Sequence, residues 1–306
     1  MLNKSHCDNP MIRPFISLLL PTRGRPALVE RLFRSIAETT SQPERVEVIL
    51  YVDEDDAGSH HLDSPDFSVT RIIGSATTMG SYNSACLAKA RGDVIILAND
   101  DMVIRTNGWD DLILAMDAEF EDCIYLAYAN DLFKKSKFCT FPILSRRTCE
   151  LLVKPYPEEY RRAFIDVHLF DIFKRVEHAG FNRIRYLNNL VFEHLHVRAG
   201  KAPDDETYGK GRMGRFADDP VFISMTAMRS MAAKRLVNVI RDVPSATVIE
   251  PKVPEYVPAG VAGAVGFFSR LFLLDWELPF SWRMFLWYWF IGRYLAANGF
   301  LRLFVR

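Results

Sequence analysis

The chain has 306 residues, with 38 Lys plus Arg balanced by 38 Asp plus Glu. That length buries a sizeable core and accommodates one large domain with an appendage, and the charge balance excludes the strongly basic character of a nucleic-acid binder. Cys7, Cys86, Cys123, Cys139 and Cys149 are odd in number and lack CxxC spacing, which points to reduced thiols in a cytoplasmic setting and away from a disulfide framework.

Residues 1–14 are polar, and the apolar run Phe15 to Leu20 behind them is too short for a signal-peptide core. That run reads as a strand ending in the turn Pro21-Thr22-Arg23-Gly24-Arg25-Pro26. A helix follows over Ala27 to Glu38, with apolar residues at Leu28, Leu32, Phe33 and Ile36. Val46 to Val52 is a second strand, ending in Asp53-Glu54-Asp55-Asp56, and Val69 to Ile73 a third; Met79 to Ala90 is helical. The fourth strand is the most informative stretch: Gly92-Asp93 opens it, Val94-Ile95-Ile96-Leu97 is its apolar body, and Asn99-Asp100-Asp101 follows. The pattern predicts a buried strand delivering carboxylates at its C-terminal end, where ligands sit in an open α/β sheet. Oxygen ligands held at such a mouth suit Mg²⁺ or Mn²⁺ shared with substrate phosphates.

Further on, a helix is expected from Gly108 to about Ala118, strands over Cys123 to Ala129 and Phe138 to Leu144, and a short helix capped by Ser145. Lys154 to Arg162 reads as a surface loop. Phe164 to Ala179 is a helix closed by Gly180, and two short strands, Arg183 to Leu187 and Leu190 to His194, come next. The alternation of strands and helices predicts βαβ crossovers and a parallel sheet. Asp166 shares a helical face with Leu169, Phe170 and Phe173, so it either caps the helix or sits in a pocket where desolvation makes it a better base; Asp171 points away and is expected in solvent. His194 and His196 face one side of a strand, and either has the chemistry of a metal ligand. The stretch 196–219 lacks hydrophobic period and reads as a lid or binding segment. A helix is expected over Phe222 to Asp242.

Taken together, these motifs resemble inverting GT-A glycosyltransferases of the family-2 type. The Pro21-Thr22-Arg23 turn is similar to that family's first-strand loop, Asp53 to its base- or ribose-binding Asp, and Asn83 to the Asn ahead of its Gly-Asp block, with Tyr82 where the family has Arg. Asn99-Asp100-Asp101 occupies the Asp-x-Asp position with Asn first. The resemblance implies an α/β GT-A fold in which Pro21, Thr22, Arg23, Asp53, Asn83 and Asp100 bind a nucleoside-diphosphate sugar. It further implies that Asp101, Asn99 and His194 hold Mn²⁺ or Mg²⁺, and that Asp166 takes the proton from an acceptor hydroxyl as configuration inverts. Asp205-Glu206-Thr207-Tyr208 is similar to a stretch in related transferases, and Lys201, Lys210, Arg212 or Arg215 would meet phosphate as the segment closes.

The expected organisation is a GT-A domain over 1–242, a Pro-rich linker over 243–258 and a hydrophobic helical segment over 259–306. Between Ala259 and Leu274 the only charge is Arg270, and four of the five tryptophans lie in this last segment. Each apolar run is shorter than a spanning helix needs, so the expectation is peripheral docking on the cytoplasmic face of a membrane or a homo-oligomer interface. Docking suits a glycan or lipid-linked acceptor in envelope assembly. A sugar nucleotidylyltransferase and a non-catalytic carbohydrate-binding module remain as alternatives.

Overall fold

A computed structural model describes residues 15–196, 200–201, 214–243, 258 and 260–300. Cys7, Lys210, Arg212, the 205–208 stretch and most of the expected linker lie outside them. Cys86, Cys123, Cys139 and Cys149 are free thiols.

The first half of the chain builds the parallel part of an eight-stranded sheet. β1 (Ile16–Thr22) and β2 (Val46–Asp53) are buried along their whole length, as is β4 (Val94–Leu97). Such strands are covered on both faces, which is why they read as continuous Leu/Ile/Val runs. β3 (Ser68–Gly74) has exposed positions along it and forms an edge. The helix α1 (Pro26–Thr39) connects β1 to β2, and α2 (Met79–Lys89), capped by the Thr78 hydroxyl on the Ser81 N–H, connects β3 to β4. Gly92 opens β4 because the start of β1 passes so close that a Cβ there would lie 2.7 Å from the Ser17 nitrogen.

The second half adds antiparallel strands to the mainly parallel sheet expected. β5 (Met102–Ile104) leads to α3 (Trp109–Asp117), then β6 (Leu126–Asn130), β7 (Ile143–Ser145) and α4 (Arg146–Leu152). After α5 (Ile165–His178) the chain enters one long strand, β8 (Ile184–His194), in place of the two expected. The order across the sheet is β3-β2-β1-β4-β7-β6-β8-β5. β7 runs antiparallel to both β4 and β6, and β5 antiparallel to β8. The class is therefore α/β with a mixed sheet. β5 escaped the sequence reading because three residues carry no period.

Alternate side chains of the central strands feed two cores. Leu18, Leu20 and Ile96 pack with α1 and α3, whereas Leu19, Ile95 and Leu97 pack with α5 on the other face. α5 ends at Ala179, with Gly180 at φ +98°. The expected surface loop before it is partly interior: Tyr156 and Tyr160 are buried. α6 (Asp219–Ser224), α7 (Thr226–Ile240), α8 (Gly260–Phe268), a π-helical turn (Ser269–Leu273) and α9 (Phe280–Ala297) complete the described chain. Phe268, Phe272, Trp282, Leu286 and Phe290 join the same apolar cluster as α5.

That packing overturns the expectation for Asp171. Its side chain is fully buried, accepting from Arg175 Nε (3.1 Å), Arg229 Nε (2.7 Å) and Trp282 Nε1 (2.8 Å). A helix read as one apolar stripe facing one layer has a solvent side; α5 is covered on a second side by α7 and α9, and no local pattern announces that.

Candidate functional site

The site is built at the C-terminal ends of three neighbouring parallel strands, β2, β1 and β4. Asp53 closes β2 and is buried. Its Oδ1 accepts the Tyr82 hydroxyl (2.6 Å), and its Oδ2 pairs with Arg23 of the β1 turn. Two further acids of this loop hold the same turn: exposed Asp55 accepts from the second Arg23 nitrogen (2.6 Å) and Asp56 accepts the Gly24 N–H (2.6 Å). Half-exposed Arg23 thus bridges two carboxylates at the mouth of the sheet. Pro21 lies within β1 opposite Tyr51, buried.

Beyond the end of β4 the chain turns sharply, the Met102 N–H bonding back to the Asn99 carbonyl (3.0 Å). Asn99 is exposed at the head of this turn, whereas Asp100 and Asp101 are buried. Asp100 accepts from Thr22 Oγ1 (2.9 Å) and from Arg25 (3.1 Å). Burial pushes its carboxyl above the usual range, Arg25 opposes that, and the neighbouring Asp101 charge adds to it. Asp101 faces the other way. Because β5 pairs with β8, Met102 stands opposite His194, and His194 Nε2 lies 3.2 Å from Asp101 Oδ2. The His194 ring is enclosed by Phe141 (centroids 5.2 Å apart) and His196 (5.0 Å), and His196 stacks on Phe133.

Asp166 sits in the first turn of α5, where a helix N-terminus favours a carboxylate. It does not cap the helix: the N-cap position is Phe164, held at φ +74°. Its Oδ1 accepts the Val167 N–H (2.8 Å). Burial raises its pKa to about 6, opposed by two backbone hydrogen bonds and by the nearby His194 imidazole. Asn83 is turned back along its own helix, donating to the Met79 carbonyl (2.9 Å); Tyr82 beside it is the residue that reaches Asp53.

A row of contacts therefore runs from Asp53 through Arg23 and Thr22 to Asp100, then from Asp101 to His194, and His194 is close enough to Asp166 to influence its carboxyl. Among the described residues no group of three or more His, Cys, Asp and Glu forms a metal cage. What exists is a carboxylate and an imidazole side by side, with His194 Nδ1 buried and without a hydrogen-bond partner. That donor pair fits a divalent cation that takes its remaining ligands from water and phosphate. Tyr82 and Arg25 were not among the expected site residues. The available signal was their nearness in sequence to Asn83 and Thr22, together with an acidic cluster that needed buried donors.

No protein-family model and no curated protein sequence matches the chain. Among solved structures it is similar to the mannosyltransferase PcManGT from Pyrobaculum calidifontis in complex with GDP-Man and Mn²⁺, at 14% identity and TM-score 0.45, over 94% of this chain and 87% of that one. It is also similar to S. aureus TarS 1–349 in complex with UDP-GlcNAc (14%, TM-score 0.44; 74% and 91%). A third is glucosyl-3-phosphoglycerate synthase from Mycobacterium tuberculosis in complex with Mn²⁺, UDP and glucosyl-3-phosphoglycerate (14%, TM-score 0.39; 76% and 82%).

Proposed function

We propose that this chain is an inverting GT-A glycosyltransferase of the family-2 type, moving a sugar from a nucleoside-diphosphate sugar to a hydroxyl of a glycan or lipid-linked acceptor at the cytoplasmic face of a membrane. The observation that carries the reading is the pair Asp100-Asp101 at the end of β4, joined on one side to Thr22 and Arg25 and on the other to His194. Through Arg23 the first side adjoins Asp53 and Tyr82, whose hydrogen-bonding groups suit a base or ribose. The second offers an oxygen and a nitrogen donor. Asp101 and His194 would hold a divalent cation there, and the chemistry it would supply is Lewis-acid neutralisation of the leaving diphosphate. Arg23 and Arg25, paired with Asp53, Asp55 and Asp100, offset part of the negative charge at the same mouth.

Asp166 takes the acceptor proton. A carboxyl with an ordinary pKa is a weak base at neutral pH; raised to about 6 by burial, Asp166 is ionised at pH 7 yet basic enough to bind a proton in the transition state. The hydroxyl oxygen then bonds to the anomeric carbon, the bond to the diphosphate breaks, and the proton ends on Asp166. The ionised form is the active one, so activity is lost on acidification. The expected kcat/KM profile for donor turnover is flat above neutrality and falls tenfold per pH unit below about pH 6. Product analysis across a donor panel with Mn²⁺ reads this directly. Release of nucleoside diphosphate supports transfer; release of pyrophosphate from a nucleoside triphosphate supplied with a sugar 1-phosphate makes the protein a nucleotidylyltransferase, and silence across both sets of substrates leaves a carbohydrate-binding module.

A further inference from the structure

The C-terminal helices expose more large apolar surface than their packing uses. Trp276, Phe280 and Tyr288 are 72%, 67% and 76% exposed, and Leu274 and Met284 lie with them. Phe280, Met284 and Tyr288 are spaced by four and form one line along α9, while Trp282, Leu286 and Phe290 on its other side are buried in the core. Leu274 and Trp276 precede the helix. Arg283 ties the two parts together, its guanidinium 4.6 Å from the Trp276 ring and 5.5 Å from that of Phe280.

Arg283 also identifies the occupant. It is nine-tenths buried, donates to the Leu273 carbonyl (2.9 Å), and has an Nε without a hydrogen-bond partner. No carboxylate among the described residues pairs with it, because Asp275 and Glu277 are engaged by Arg175 and Lys234. Exposed Arg270 adds a second cation to the same segment. An aromatic face with uncompensated guanidinium charge is complementary to a layer that is apolar inside and carries phosphate at its edge. A symmetric dimer through this face would instead set Arg283 against its own copy.

We propose that the Leu274, Trp276, Phe280, Met284 and Tyr288 face docks on an anionic phospholipid bilayer, with Arg283 meeting a headgroup phosphate. No helix of the described residues is long and apolar enough to cross a membrane, so α9 lies in the interface plane. The same helix stacks Trp289 and Phe290 against Phe164 (5.2 and 5.9 Å), two residues before Asp166. Docking thus couples the bilayer-facing helix to the residues that lead into α5, which deepens the lipid-linked acceptor reading proposed above and rests on it only for that last step.

Vesicle flotation of the full chain tests the face without any catalytic readout. Wild type is expected to float with phosphatidylcholine vesicles containing phosphatidylglycerol and far less with phosphatidylcholine alone. Trp276→Ser with Phe280→Ser removes solvent-exposed rings, leaves the melting temperature unchanged and weakens binding by about tenfold or more. Arg283→Met keeps the packing volume and removes the preference for anionic vesicles. Three results would overturn the proposal: absence of wild-type flotation, variants that float as well as wild type, or a concentration-dependent dimer that the paired Ser variant dissolves. Because turnover is not scored, a failure here leaves the transferase reading standing, and an inactive enzyme leaves the docking result standing.

Discussion

Asp166→Asn is expected to reduce transfer by about 10²–10⁴-fold, the range that a positioned general base contributes, while nucleotide affinity stays within a factor of two or so of wild type. The asymmetry follows from position. The proposed nucleotide side of the row is held by direct contacts, Thr22 with Asp100 and Tyr82 with Asp53, and Asp166 belongs to none of them. Asparagine preserves the shape and the carbonyl acceptor but cannot take up a proton. Thermal melting separates this from a structural role. Asp166 has its carboxyl raised to about 6 by burial, so its ionised form opposes folding at neutral pH. The Asn variant should melt at the wild-type temperature or above. A lower melting temperature together with lost nucleotide binding would make Asp166 a structural residue.

The second large effect is on stability. Asp171→Ala is expected to cost about 3–5 kcal/mol, the range for breaking a buried ion pair from one side, and to lower the melting temperature on the order of 10 °C. Arg175 and Arg229 are both buried, and both point an Nε at this carboxylate. Arg175 would keep Asp275 and Glu277, but Arg229 Nε and Trp282 Nε1 would lose their acceptor. The pH dependence carries the same signature. Burial alone would raise the Asp171 pKa, yet Arg175 and Arg229 hold it at about 2. A carboxylate depressed in the folded state stabilises the fold above its unfolded pKa of about 4, and that contribution is lost as pH falls towards 2. Melting curves from pH 5 to pH 2 should show wild type losing stability steeply, with Asp171→Ala starting lower and falling less.

These two aspartates mark what the sequence does and does not disclose. Val94-Ile95-Ile96-Leu97 before Asn99-Asp100-Asp101 is legible because a doubly covered strand must be apolar throughout and its polar end must face outward. Asp53 is legible for the same reason. The route by which His194 reaches Asp101 is not: it depends on β5, three residues long, pairing with the end of β8 across a break in sequence from Ile104 to Phe192. Asn188-Asn189 reads as a turn between two strands, whereas the chain runs through it as one irregular strand with a register shift against β6. Asp171 was misplaced because its partners Arg229 and Trp282 come from helices far along the chain. Periodicity reports one apolar face and is silent about a second layer. Which of two adjacent helical residues points at Asp53 is decided by the packing of α2 and is not written in the local sequence: Tyr82 donates to Asp53, whereas Asn83 donates back to the Met79 carbonyl.

The proposed activity rests on Asp53, Asp100, Asp101 and His194 forming a single station for a nucleoside diphosphate with a divalent cation. Titration calorimetry with UDP and GDP, with Mn²⁺ and then with chelator, compares wild type with Asp101→Ala most directly. The account predicts that one of the two nucleotides binds wild type in the presence of Mn²⁺, and that chelator or Asp101→Ala each weaken that binding at least about tenfold. Nucleotide affinity indifferent to both the cation and Asp101 would contradict it.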